Sequence, residues 1–136
     1  MKIFFDTNVI LDIVLQREDE YNVKKIVEIS RQNEFVRIYA SYLTIANMAF
    51  ILRKTGISIV RDCIRSVSRW CNILSCGDMQ IRDALSNSSP DFEDSLQIMC
   101  AEENMCDVII TRNPAHFRKY TEIPVLSPEE FASHFQ

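Results

Sequence analysis

Glycine is nearly missing from this chain, with two residues, Gly56 and Gly77, among 136. That excludes a glycine loop cradling a phosphate, and neither GxGxxG nor GxxxxGK[ST] occurs. Histidine is as scarce, with His116 and His134 only. The five cysteines (Cys63, Cys71, Cys76, Cys100 and Cys106) form no CxxC pair, so a zinc centre lacks ligands. An odd number of scattered thiols suits free cysteines in a reducing compartment. No apolar run approaches the ~20 residues of a membrane span. Asp6, Asn8 and Asp12 interrupt the apolar start, and no small-residue cleavage site follows. The expectation is a cytoplasmic protein with no membrane segment. The net charge of −4 argues against non-specific coating of nucleic acid but leaves room for a local basic groove.

What is present is an ordinary globular balance, 47% hydrophobic and 25% charged. The length suits one compact domain over residues 1–136, with no repeat, linker or low-complexity stretch. Lys2 to Phe5 reads as a short buried strand, and Thr7 to Gln16 as a helix with Val9, Ile10, Ile13 and Val14 on one face. A second helix is expected from about Glu20 to Gln32, a strand over Glu34 to Ala40, and a third helix from Tyr42 to Lys54 capped by Ser41. The spacing of Ile57, Val60, Ile64, Val67 and Cys71 marks an amphipathic helix. A short strand at Asn72 to Ser75 and a helix capped by Asp78 follow. Ser89 and Pro90 are expected to cap and open a helix reaching about Asn104. Asp107 to Ile110 reads as a buried strand and Val125-Leu126 as a last one. Ser127-Pro128-Glu129-Glu130 opens the final helix. Alternating strands and helices predict an α/β fold of three layers around a mainly parallel sheet of four to five strands.

In such a fold helix N-termini and strand carboxyl ends share one edge, where ligands bind. Asp6, with Thr7 and Asn8 behind it, ends the first strand there. Ser41 ends the second, and Asn47 lies about two turns into the next helix. Asp91 and Asp94 stand in the first turns of the helix after Pro90, three apart and so on one side, whereas Glu93 points elsewhere into solvent. The acids suit either a helix dipole or a site. Asn47, in an almost wholly apolar run, is either a buried amide bonded to backbone, Ser41 or Thr44, or a group aimed into a polar site. Thr111 and Asn113 either bond the chain leaving the late strand or orient Asp6 and hold a metal-bound water. Arg112 either meets a phosphate or neutralises acids. Carboxylates converging on one edge repel each other unless a cation is present. Oxygen donors suit Mg²⁺ or Mn²⁺, and such ions favour phosphodiester hydrolysis.

These motifs resemble the PIN domain, the nuclease family that includes VapC-type toxins of toxin–antitoxin pairs. The resemblance spans nearly the whole chain. Asp6–Asp12 (DTNVILD) is similar to the family's opening strand and first acid. Ser41–Lys54 resembles the helix that carries the second acid. Asp91–Ala101 (DFEDSLQIMCA) resembles the third-acid helix, with Asp94 at the third-acid position and Asp91 an added acid of one branch. Asp107–Phe117 resembles the last motif. Two departures stand out: Asn47 replaces the usual Glu, and acids expected near Asn113 or His116 are absent. The resemblance implies a metal-dependent ribonuclease using Mg²⁺ or Mn²⁺, with Asp6, Asp94 and Asp91 as ligands, Asn47 as a neutral partner, and RNA as substrate. It also implies an antitoxin partner laid across the site and a homodimer. The apolar residues of the first two helices suit such contacts or a core equally. Arg53, Lys54 and Arg112 are the phosphate candidates near the edge. Arg61, Arg65 and Arg69 form a basic helix face that also fits simple solvation. Two rivals are a PIN-fold module that binds RNA or protein without cleaving, and a receiver-like or phosphatase-like domain. The second lacks a Lys beside Thr111-Arg112-Asn113.

Overall fold

The computed structural model describes residues 1–134. Its centre is a five-stranded, wholly parallel sheet in the order β3-β2-β1-β4-β5. The strands are β1 (Lys2–Phe5), β2 (Arg37–Ser41), β3 (Cys71–Leu74), β4 (Val108–Ile110) and β5 (Val125–Leu126). The helices are α1 (Thr7–Val14), α2 (Glu20–Gln32), α3 (Tyr42–Ile51), α4 (Ile57–Ser68), α5 (Asp78–Leu85), α6 (Phe92–Glu103), α7 (Pro114–Arg118) and α8 (Pro128–Ser133).

β1 and β4 are buried on both faces, as parallel strands with helices on either side must be. Ile3, Phe5, Val108 and Ile110 join one core with α1, α2, α3, α4 and α8. Phe4 and Ile109 point into a second core with α6 and α7. Strand periodicity of two thus divides one short sequence between two layers. β1 is the central strand, and the chain adds strands on its β2 side before crossing to its β4 side. The resulting switch point lies between the carboxyl ends of β1 and β4, which is the crevice where open α/β sheets bind ligands.

Several boundaries move for local reasons. α1 ends at Val14 rather than Gln16, because Gln16 turns into the left-handed region (φ 53°). β2 starts three residues later than expected, since Asn33 folds residues 33–36 into a turn by accepting from the Phe35 and Val36 amides. α3 stops at Ile51, and a 3-10 turn over Arg53–Thr55 completes that stretch. Cys71 starts β3 instead of ending α4. Gly77, not Asp78, occupies the cap position of α5. The cap of α6 is Asp91 rather than Ser89, and its carboxylate accepts from the Asp94 amide at 3.1 Å. α7 forms where no helix is expected, whereas Ser127 and Glu130 form the capping box of α8 with Pro128 as its first residue, as expected.

The apolar stripes of α1 and α2 are core: Val9, Ile10, Val23, Ile26 and Val27 are buried. They are therefore not a docking surface. Tyr42, Phe50, Ile51, Ile57 and Ile59, on α3 and the start of α4, are among the exposed large apolar side chains. All five cysteines are free, and burial pushes the Cys71 thiol up to about 12 and Cys106 up to about 11. No helix among the described residues is long and apolar enough to cross a membrane.

Candidate active site

Parallel pairing extends one bond beyond β1: the Asp6 amide donates to the Ile110 carbonyl at 3.0 Å. That bond sets Asp6 beside the end of β4, so the next residue there, Thr111, can reach it. Thr111 Oγ1 donates to Asp6 Oδ2 at 3.1 Å and accepts from the Asn113 amide at 3.3 Å. Asp6 Oδ1 accepts from the Thr7 amide at 2.8 Å, capping α1. Asp6 is 7% exposed. Burial is the main force on its carboxyl and pushes it up to about 7, with Asp94 and Glu93 adding repulsion. The bonds from Thr111 and Thr7 oppose that rise.

Below Asp6 lies a buried hydroxyl–amide chain. Gln97 Nε2 donates to Thr7 Oγ1 at 2.9 Å, and the Thr7 and Thr44 hydroxyls are 2.9 Å apart. These residues belong to α6, α1 and α3, so the chain fixes the helices that carry Asp94 and Asn47 around Asp6. Thr7 acts through this frame. Gln97 was not singled out from sequence; a glutamine on the buried face of an amphipathic helix was the available signal.

Asp94 is half-buried at the start of α6. Its carboxyl is pushed up to about 6, first by burial and then by Asp91 and Glu93, while His116 draws it down. Asp91 is exposed and engaged as the α6 cap. Glu93 does not point away. It is exposed, but its Oε1 accepts from Asn47 Nδ2 at 3.0 Å. Asp91 caps α6 from just outside it and still stands beside Asp94, with Glu93 a further acidic neighbour. Asn47 is half-buried and bonds to Glu93, not to Ser41 or Thr44.

Other residues proposed for the edge are occupied elsewhere. Ser41 is fully buried, accepts from the Leu43 amide to cap α3 and lies 3.3 Å from Cys76 Sγ. Asn8 is exposed and accepts from Arg17 at 3.4 Å. Asn113 precedes α7 and makes no side-chain cap bond. Arg53 lies over the Phe50 ring at 4.0 Å. Arg65 pairs with Asp62 at 2.9 Å, the solvated-face reading of α4. Arg112 pairs with Asp12 at 3.5 Å and Asp19 at 3.9 Å, so it neutralises acids.

Asp12 is completely buried, and neither carboxylate oxygen has a hydrogen-bond partner among the described residues. Arg112 and Arg17, the latter at 3.8 Å, are its counter-charges. Removing one partner of a buried pair strands the other, so Arg112→Ala is expected to lower stability by about 2–3 kcal/mol. Urea unfolding at pH 7 measures this. In an Asp12→Asn background the same replacement should cost under about 1 kcal/mol, and equal losses in both backgrounds would refute the pairing.

A cavity of about 390 Å³ opens beside Asp94. Asp91, Asp94, Ser89 and Pro90 line one side, and Ala115, His116, Lys119 and Tyr120 the other. The sequence brings in His116 only as a zinc-ligand candidate and beside a missing family acid, and it does not single out Lys119.

Oxygen donors at Asp6 and Asp94 fit a hard divalent cation, and burial first, then repulsion between acids, holds both carboxyls above their ordinary value. Among the described residues, no three acidic, imidazole or thiol side chains close into a group able to hold an ion.

A three-layer α/β/α fold with a buried carboxylate at the sheet's switch point defines the class of the protein. The chain belongs to the PIN domain family, whose model matches residues 2–115. It is similar to Ribonuclease VapC1 of Aquifex aeolicus, with 28% identity over 98% of this chain and 95% of that protein. The fold matches VapBC2 of Rickettsia felis, solved bound to a promoter DNA fragment (TM-score 0.74, 12% identity, 93% of this chain and 98% of that one). It also matches VapBC-1 of nontypeable Haemophilus influenzae (TM-score 0.72, 20% identity, 95% and 99%). A toxin–antitoxin complex of Klebsiella pneumoniae has a TM-score of 0.66 at 20% identity, with 93% and 97% covered.

Proposed function

We propose that this chain is a divalent-metal-dependent endoribonuclease and the toxin of a toxin–antitoxin pair. The observation that carries the reading is the juxtaposition of Asp6, aligned by Thr111, with Asp94 from a distant helix at the sheet's switch point. Asp6 and Asp94 would hold Mg²⁺ or Mn²⁺, with Asp91 and Glu93 at its margin. When bound, the cation supplies Lewis-acid chemistry for hydrolysing an RNA phosphodiester. Thr111 fixes the direction of the Asp6 carboxylate. The Thr7–Thr44–Gln97 chain keeps that carboxylate in register with Asp94. Asn47 orients Glu93, which supplies negative charge from α6 where a family member usually supplies it from α3.

The toxin role rests on the likeness to VapC1 and to toxin–antitoxin complexes. The exposed apolar side chains of α3 and α4 suit an antitoxin segment or a second copy of the chain. The neutral Asn47 favours a second reading, a module that binds RNA or protein without cleaving.

Cleavage of single-stranded RNA by the purified chain with Mg²⁺ or Mn²⁺ is the test. EDTA should stop it, and Asp94→Asn should slow it on the order of 10²-fold, the scale of one lost electrostatic stabiliser. Saturable Mn²⁺ binding by calorimetry with no metal-dependent cleavage would favour a metal-bound module. Absence of both binding and cleavage would end the nuclease reading.

A further inference from the structure

The cavity beside Asp94 has charges of opposite sign on its two walls, and one residue ties those walls together. Asn87 Nδ2 donates to the Tyr120 carbonyl at 3.1 Å, while its Oδ1 accepts from the Ser89 amide at 3.0 Å and from Ser95 Oγ at 3.1 Å. The Ser89–Pro90 side and the Tyr120 side are thus held in fixed relation, Ser95 anchoring the clamp to α6 directly after Asp94. The acidic side is continuous with Asp94. Across from it, exposed His116 and Lys119 form no ion pair among the described residues, and Tyr120 adds a half-buried aromatic ring. Two cationic or proton-donating groups beside an aromatic ring are the chemistry that recognises one nucleotide of a single strand: phosphate on the cations, base on the ring. Of the edge candidates, Arg112 and Arg53 are already engaged with Asp12 and the Phe50 ring, which leaves Lys54 on the 3-10 turn and, in the cavity itself, His116 and Lys119.

We infer that His116, Lys119 and Tyr120 form a single-stranded RNA subsite that seats the nucleotide next to the scissile phosphate. The subsite rests on the ribonuclease reading and adds to it where the substrate lies. Lys119 holds a non-reacting phosphate and so sets affinity; His116 joins it there and also acts electrostatically on Asp94. The rigid Asn87 clamp lowers the ordering cost of binding.

The test is fluorescence anisotropy of a labelled ten-nucleotide RNA of mixed sequence with the full chain in EDTA, so that cleavage does not intervene. His116→Gln combined with Lys119→Gln alters exposed side chains only. It should raise Kd about 10-fold and reduce the slope of log Kd against log salt by about 0.7 per lost phosphate contact. With Mg²⁺ present, Lys119→Gln alone, which leaves His116 beside Asp94, should lower kcat/KM chiefly by raising KM. An abasic nucleotide scanned along the RNA should weaken wild-type binding about 10-fold at one position, where the Tyr120 stack is lost. The control is Arg37→Gln with Arg69→Gln, two arginines of a separate cavity at the opposite edge of the sheet. If wild type binds and cleaves RNA but the His116/Lys119 pair binds it equally well, the subsite is wrong and the ribonuclease reading stands. An equal or larger loss in the Arg37/Arg69 pair also overturns the subsite, placing the RNA at the other edge. If wild type neither binds nor cleaves RNA, both readings fall together.

Discussion

Asp6→Asn is expected to abolish RNA cleavage and, at pH 8 without divalent metal, to raise the melting temperature. The Asp6 carboxyl is buried beside Asp94 and Glu93, and its two hydrogen bonds only partly compensate. Its affinity for a proton rises from an ordinary 3.8 to about 7. The folded state therefore holds a proton that the unfolded chain releases above pH 3.8. Stability from this group is fully present below that value and is lost as pH rises through about 7. The loss tends toward about 4 kcal/mol, an upper bound that relaxation and water reduce. Asparagine is neutral at every pH and escapes it. Thermal unfolding at pH 8 in EDTA should thus favour Asp6→Asn by roughly 5–15 °C. Near pH 4 the two proteins should melt together. Saturating Mg²⁺ or Mn²⁺ should reverse the order, because a ligand of the folded state stabilises wild type by mass action. A less stable Asp6→Asn at pH 8 in EDTA would mean that the carboxylate is not held against its own charge.

The same residue marks how far the sequence could be read. β1, β4 and the capping box of α8 depend on neighbours a few positions away, so periodicity and caps reveal them. Asp6 was legible for the same reason, as a charge directly after a buried strand. Glu93 reads differently in the structure because Asn47 reaches it from another helix, 46 positions away, a contact that no local pattern shows. Arg112 was ambiguous because Asp12, its partner, lies in α1 and shows in sequence only as a polar break in an apolar run. Helical spacing likewise cannot distinguish an apolar face that meets the sheet from one that meets solvent. α2 buries its stripe, whereas α3, apolar almost all round, leaves Tyr42, Phe50 and Ile51 outside. Which side of such a helix is covered depends on the whole fold.

Asn47→Glu is the second decisive change. Position 47 is two turns beyond the Ser41 cap, and its amide now donates to Glu93 Oε1 at 3.0 Å. A glutamate there loses the donor and sets two carboxylates against each other, next to the repulsion already acting on Asp6 and Asp94. Without metal the variant should lose about 1–2 kcal/mol at pH 8, and less at pH 5, where protonation relieves the repulsion. With metal the sign reverses. An added carboxylate increases the charge that the cation neutralises, and Mn²⁺ affinity measured by calorimetry should rise at least about 10-fold. The EDTA-to-Mn²⁺ gain in melting temperature should exceed that of wild type correspondingly. Asn47→Asp, one methylene shorter, should give a smaller gain, because it keeps the charge but changes the reach. A folded Asn47→Glu with unchanged Mn²⁺ affinity would place the ion away from α3, and with it would fall the reading of Asn47 as the position where this acidic site has lost a charge. If affinity rises and cleavage rises with it, the weak point of the native site is cation occupancy; if affinity rises alone, Asn47 and Glu93 act in positioning RNA as well as in holding charge.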